Sequence, residues 1–270
     1  MHFLVFVNRK NGVPPTLYCG VVFLNLDLTD RLLYTLGICR RGFGIRRLGE
    51  WRRGDLFITL EGIEGCGKST QSRRLVRCLG ERNIQAVLTR EPGGTGLGRE
   101  IRRILLDSGN NQLLPLAELL LYEADRAQHM MEVIKPALAA KHWVVCDRFY
   151  DATTVYQGFA RGQDRALIQD LNHRASQGVK PDKTFLIDCP VSIGLERARK
   201  REETQCGDGK TGQDRFEREQ EAFHEAVRHG YLTLAAREPA RFVVLDGTLG
   251  ADQLEERLLE CLKPFIGGER

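Results

Sequence analysis

The sequence predicts an α/β protein: a five-stranded parallel sheet with helices on both faces and a mobile lid over one end. Three observations carry this expectation. From Leu56 onward, short apolar runs alternate with longer helix-capable stretches. The first run, Leu56 to Leu60, passes into the glycine-rich Gly62-Ile63-Glu64-Gly65-Cys66-Gly67-Lys68-Ser69 and then into a helical stretch, Ser69 to Leu79. A polar stretch with three glycines and no period, Glu202 to Gln213, interrupts the later helices.

The elements follow in order. Ile84 to Thr89 is the second strand and ends in Thr89-Arg90-Glu91-Pro92-Gly93-Gly94-Thr95. Leu97 to Leu106 is amphipathic, with Ile101, Ile104 and Leu105 set against Arg99, Arg102 and Arg103. Pro115 opens a long helix, which Pro136 is expected to bend or restart. Trp143 to Cys146 is short and wholly apolar, as a buried parallel strand should be, with Asp147-Arg148 at its carboxyl end. Helix Ala166 to Ser176, strand Phe185 to Ile187, helices Ser192 to Arg201 and Phe216 to Ala236, strand Phe242 to Leu245 and helix Ala251 to Leu262 complete the pattern.

Composition excludes several classes. The net charge is +4, but residues 1–53 carry nine Lys/Arg against Asp27, Asp30 and Glu50. The remaining chain is therefore slightly acidic, and no nucleic-acid partner is expected. The eight cysteines form no C-x-x-C pair or metal spacing, which fits free thiols in a reducing, cytoplasmic compartment. No apolar run approaches membrane-spanning length, so no membrane partner is expected. The start lacks a charged region ahead of an apolar one, so a secretory signal is not expected.

The chemistry begins at Gly62 to Ser69, which fits G-x-x-x-x-G-K-[ST] between a strand and a helix. Glycines let backbone N–H groups crowd a phosphate chain, and the helix N-terminus adds partial positive charge. Nucleoside-triphosphate binding by residues 62–70 is the reading, namely Gly62, Ile63, Glu64, Gly65, Cys66, Gly67, Lys68, Ser69 and Thr70. Lys68 would reach the β/γ-phosphates and Ser69 would help hold Mg²⁺. Asp147 ends an apolar strand beside the loop, the place of a carboxylate that partners Mg²⁺, usually through water. Arg90, Arg126, Arg148, Arg199, Arg201 and Arg215 suit a site that positions two phosphorylated substrates. Arg199, Arg201 and Arg215 flank the polar stretch, where they would close over ATP with a lid.

With these pieces in place, the chain from Leu56 to the C-terminus resembles the bacterial thymidylate kinases, P-loop kinases that phosphorylate dTMP to dTDP. The matching segments are FITLEGIEGCGKST, TREPGGT, YEADRAQ, CDRFYDATTVYQG and DRFE, in that order along the chain. The resemblance implies the P-loop NTPase fold, ATP as phosphoryl donor, Mg²⁺, and a cytoplasmic homodimer. It also implies roles. Arg148 would bridge the acceptor phosphate and the transferring group, with Arg90 also on the acceptor phosphate. Glu64 would hold the sugar 3′-hydroxyl. Tyr122, where the family usually has Phe, would stack on thymine, and Arg126 would donate to thymine O4. Thr153 would meet the base edge, Tyr156 would lie under the deoxyribose, and Gln157 would complete the substrate site.

Three departures stand out. Cys66 replaces the usual alanine in the P-loop and would make the site sensitive to thiol reagents. The lid, about 199–215, carries an insertion from roughly Glu203 to Gln213. The P-loop lacks an extra basic residue, which leaves Arg199, Arg201 or Arg215 as the transition-state stabiliser.

Two other readings stay open at this level. A kinase for a different nucleoside monophosphate would share the fold and differ in the base pocket; Tyr122, Arg126 and Thr153 favour thymine. A nucleotide switch or motor would share the P-loop, but no N-K-x-D guanine signature is present.

Residues 1–53 show no period or motif, and the kinase domain is expected to span 54–270. Thymidylate kinases begin almost directly at the P-loop strand. The next methionine after Met1 is Met130, so a start near Leu56 would need a non-ATG codon, with Leu48 best placed. Translated upstream sequence or a disordered arm is the expectation; the rival is a basic extension that binds a partner or directs targeting. A protein beginning at Arg52 is expected to fold and keep full activity. Mass spectrometry of the native protein checks the extension: peptides from Met1 to Arg40 would show that it is made.

Overall fold

The computed structural model describes residues 55–110, 112–205, 216 and 219–266. The expected N-terminal extension, most of the expected lid insertion and Arg215 lie outside these residues. Five parallel strands form one sheet: β1 (Phe57–Glu61), β2 (Ala86–Arg90), β3 (Trp143–Asp147), β4 (Lys183–Asp188) and β5 (Phe242–Asp246), in the order β2-β3-β1-β4-β5. The central strand β1 is buried along its whole length and pairs with β3 and β4.

Alternation along β1 and β3 builds two cores, one on each face of the sheet. Ile58, Leu60, Trp143 and Val145 join the larger one with Leu75, Phe185, Tyr231 and Leu258. Phe57, Val144 and Cys146 join the smaller one with Met130, Ile134 and Phe149. The helices that cover these faces are α1 (Lys68–Glu81), α2 (Gly96–Leu106), α3 (Pro115–His129), α4 (Lys135–Ala139), α5 (Tyr150–Thr153), α6 (Arg165–Ala175), α7 (Val191–Gln205), α8 (Glu221–Arg237) and α9 (Ala251–Ile266).

Several boundaries differ from the sequence reading. Every strand ends on a polar residue one beyond the apolar run, because ladder pairing such as Leu60 opposite Asp147 does not depend on side-chain polarity. β2 starts at Ala86, not Ile84, whose N–H instead closes the end of α1 on Leu79 O. At Pro136 the reading holds, for a new α-helix starts there. The chain continues from α3 through a π-helical turn, Met130–Ile134, and the proline lies in the first turn of α4, where a missing N–H is tolerated. Helix α7 runs to Gln205 rather than Arg201, so the first residues of the expected lid loop are helical; Lys200 pairs with Glu196 one turn back. Helix α8 starts at Glu221 rather than Phe216, because Phe216 turns into the core against Tyr156 and Phe223.

The largest omission is 150–160. Thr153, Thr154, Val155 and Gly158 are poor helix formers, yet the segment folds as α5 followed by a π-helical stretch, Thr154–Ala160. Packing against α8 overrides propensity. Gly230 of α8 sits so close that a Cβ there would lie 3.0 Å from Val155 and Phe159.

A polar seam crosses under the sheet. Thr59 and Thr184 hydroxyls meet at 2.8 Å. Arg241 donates to Thr184 and, through both Nη atoms, to Asp151 at 2.6 and 2.9 Å. Arg241 and Asp151 are both buried. Arg241→Met should therefore strand a buried carboxylate and cost about 3–5 kcal/mol. Urea unfolding measures it; a loss below about 1 kcal/mol would show that the pair is not holding α5 to the sheet.

Candidate active site

The carboxyl ends of β1, β2 and β3 open on one cleft of about 160 Å³. A second cavity of about 290 Å³ shares Ser69, Arg90 and Asp147 with it. The glycine-rich loop forms the floor. Gly65 has φ +68, and a Cβ there would lie 1.9 Å from the Gly194 carbonyl oxygen of α7. Glycine is thus required twice, for conformation and for approach. Lys68 opens α1 and curls over the loop, donating to the carbonyls of Gly62 (3.0 Å) and Ile63 (2.6 Å). Ser69 donates through its hydroxyl to Asp147 Oδ2 across the β1–β3 pair. Cys66 is buried, with its sulfur 3.5 Å from Lys68 Nζ. Gly62, Ile63, Gly67 and Thr70 form the loop and the helix start, but do not line the cleft.

Arg148 occupies the centre. Its backbone is left-handed, φ 70, a conformation that costs a non-glycine residue about 1–3 kcal/mol and clusters at functional sites. The turn is held by Arg148 N–H to Leu60 O (3.0 Å) and Phe149 N–H to Glu61 Oε1 (2.7 Å). The guanidinium is aimed by three groups. Nη1 donates to the Tyr231 hydroxyl at 3.0 Å, and Nη2 donates to Glu64 Oε1 and the Tyr156 hydroxyl, each at 2.9 Å. The Tyr156 ring lies beneath it, 4.9 Å from centroid to the guanidinium carbon.

Two carboxylates flank this arginine in different states. Glu61 is fully buried and accepts from Tyr231 OH and Phe149 N–H. Burial and the nearby Asp151 charge push it well above the usual carboxylate range. Burial would also raise Glu64, but His224 and the charges of Arg148 and Lys68 hold it well below that range. His224 acts here by proximity. Its Nδ1 is 3.3 Å from Glu64 Oε2, yet no aligned hydrogen bond joins them.

The far end of the cleft is built around Arg126, only 1 % exposed. Its Nε donates to Glu91 Oε2, Nη1 to Glu123 Oε1 and Asn172 Oδ1, and Nη2 to Thr153 Oγ1. One Nη2 hydrogen remains beyond these bonds. Glu91 Oε1 also accepts from His129 Nδ1 at 2.9 Å, and the Glu91 N–H donates to Asp147 O at 3.1 Å. Asp125 accepts from Gly93 N–H; burial and the Glu91 charge push its carboxyl up to about 6. Tyr122 and Phe216 close the cleft with rings 6.5 Å apart. Gln157 donates to Glu118.

The expected site residues are therefore largely brought together. Glu64, Lys68, Ser69, Asp147 and Arg148 line one part of the cleft, and Tyr122, Arg126, Thr153, Tyr156 and Gln157 another. Arg90 lies at the end of β2, exposed on both cavities. Of the lid arginines, Arg201 lines the cleft, Arg199 is exposed on α7 away from it, and Arg215 lies outside the described residues. Glu61, Glu91, Tyr231 and Phe216 were not picked out from sequence. Glu61 was findable, as an acid ending an apolar strand like Asp147; Tyr231, inside an ordinary helical stretch, carried no signal.

Comparison with known proteins gives a consistent result. The thymidylate kinase family profile matches residues 60–258. A thymidylate kinase from Desulfosudis oleivorans is 54% identical over 209 residues, covering 77% of this chain and 96% of that protein. One from Geobacter sulfurreducens is 53% identical over 206 residues, covering 76% and 95%. The crystal structure of thymidylate kinase from Ehrlichia chaffeensis superposes with TM-score 0.60 at 35% identity, covering 77% of this chain and 99% of that one. The five-stranded parallel sheet with its covering helices is thus that of the P-loop NTPase fold, and the chain belongs to the thymidylate kinase family.

Proposed function

We infer that this enzyme transfers the γ-phosphoryl group of ATP to the 5′-phosphate of dTMP, giving dTDP for dTTP synthesis. The observation that carries the reading is a cleft that joins a phosphate loop to a base-sized end through one arginine, Arg148. ATP phosphates bind the loop, and Lys68 exchanges the carbonyls of Gly62 and Ile63 for phosphate oxygens. Arg148 and Arg90 receive the acceptor phosphate. Arg148, already fixed by Glu64, Tyr156 and Tyr231, stabilises the charge that develops during in-line transfer. Arg201, which lines the cleft, is the favoured stabiliser from the lid, ahead of Arg199 and Arg215.

The same cleft suits thymidine. Glu64 accepts the sugar 3′-hydroxyl, and the Tyr156 ring sits where a 2′-hydroxyl would be crowded. Tyr122 stacks on the base, and the remaining Nη2 hydrogen of Arg126 points a donor at O4, with Thr153 and Gln157 bounding the base edge. Deleting Arg126 does not isolate that contact, because Glu91 and Glu123 would be left buried and unpaired.

The donor set fits Mg²⁺. Ser69 and Asp147 present hard oxygen donors in contact with each other, and phosphate oxygens and water complete such a site. When bound, the ion neutralises charge on the transferring phosphate. We place the enzyme in the cytoplasm as a homodimer. Support for the dimer is the family resemblance and the half-exposed Leu97, Leu116 and Leu120. No described helix is long and apolar enough to cross a membrane.

Lys68→Ala and Arg148→Ala should each lower turnover about a hundredfold or more while leaving the far-ultraviolet circular dichroism unchanged. Turnover within about threefold of wild type for either protein would refute the assigned role.

A further inference from the structure

His224, in the first turn of α8, is fully buried, and neither of its ring nitrogens has a hydrogen-bond partner among the described residues. Native interiors rarely leave a buried polar group in that state, so a histidine here calls for a reason. Its ring stands edge-on to Phe223, with centroids 5.7 Å apart, and presents Nδ1 to Glu64 Oε2 at 3.3 Å.

The Glu64 carboxylate is served unequally. Oε1 accepts from Arg148 Nη2 at 2.9 Å and from Tyr156 OH at 2.5 Å. Oε2 is buried and accepts no hydrogen bond from the described residues. One oxygen is thus committed to aiming Arg148. The other faces His224, and a carboxylate pinned at one oxygen is otherwise free to turn about its broad terminal torsion.

We propose that His224 is a positioning residue for sugar recognition, its Nδ1–H anchoring the buried Glu64 Oε2 so that the cleft-facing part of the carboxylate is held in place to accept the 3′-hydroxyl of the acceptor nucleotide. The proposal rests on the reading of Glu64 as the acceptor of that hydroxyl. It accounts for an imidazole standing where an apolar ring would fill the same space. In this arrangement the ring carries its proton on Nδ1, and closing the 3.3 Å gap to ordinary hydrogen-bond length accompanies binding.

The test is the ratio of kcat/KM for dTMP to that for its 3′-deoxy analogue, measured on the full chain. A ratio cancels any loss common to both substrates, such as a displaced Arg148. Glu64→Gln should reduce the ratio about tenfold or more, since a hydrogen bond to a charged acceptor is lost. His224→Phe should reduce it by about fivefold, through a higher KM for dTMP with KM for ATP unchanged. His224→Asn, whose amide nitrogen stands near the place of Nδ1, should restore it to within about twofold of wild type. If Glu64→Gln collapses the ratio and His224→Phe leaves it intact, the proposal is overturned while the reading of Glu64 survives. It is overturned equally if His224→Asn discriminates no better than His224→Phe. An unchanged ratio in Glu64→Gln overturns the reading of Glu64 and the proposal with it. Should His224→Phe fail to fold, ring-nitrogen NMR of the wild-type protein with dTMP bound decides: the Nδ1–H tautomer is expected, and the Nε2–H tautomer overturns the proposal.

Discussion

The pairing of β1 with β3, Thr59 opposite Cys146 and Leu60 opposite Asp147, sets the geometry on which the site depends. It brings Asp147 to the hydroxyl of Ser69 and lets the N–H of Arg148 reach Leu60 O. A slip of one residue would turn Asp147 into the core and Cys146 toward the cleft, since alternate residues face opposite sides of the sheet. The register is secured on both faces. Val144 and Cys146 pack beneath with Phe57, Met130 and Phe149, and Val145 packs above with Ile58 and Leu60. The phosphate loop, Asp147 and Arg148 are therefore rigid relative to one another because the sheet is.

Around this frame the protein holds several buried or half-buried ion pairs, each with a geometric task. Arg241 ties Asp151 beneath the sheet, Arg126 gathers Glu91 and Glu123 at the far end of the cleft, and Arg148 joins Glu64. Buried pairs of this kind add little net stability against an apolar alternative, but removing one partner is costly. Their effect is to fix directions. Glu91 links the end of β2, through its N–H to Asp147 O, with α3, through its carboxylate to Arg126 and His129. Arg126 is thus registered against β3, the strand that leads into Arg148.

Much of this was legible in the sequence. The strand, loop and helix around Lys68 announce themselves by composition, and Asp147-Arg148 is visible as polar residues closing an apolar run. The substrate roles expected of Glu64, Arg90, Tyr122, Arg126, Thr153 and Tyr156 rested on family resemblance; these residues line one cleft. What was not legible depends on tertiary contact. The helical segment 150–160 exists because α8 packs on it, against its own propensity. Phe216 leaves the helix to fill the space between Tyr122 and Tyr156. Tyr231 and His224 sit in an ordinary-looking helix, and only the fold shows that they meet Arg148 and Glu64. Periodicity reports which face is buried, not which buried polar atoms will meet across the core.

The central claim is that the cleft on Arg148 selects thymidine monophosphate as phosphoryl acceptor. A coupled assay of the purified chain with ATP, Mg²⁺ and a panel of nucleoside monophosphates tests it most directly. The highest kcat/KM is expected for dTMP. dUMP should be detectably weaker, because a missing methyl group costs about 1–3 kcal/mol. dCMP, AMP and GMP should be weaker still, since the cytosine amine would set a donor against the Arg126 donor. dCMP or GMP matching or exceeding dTMP would contradict the claim.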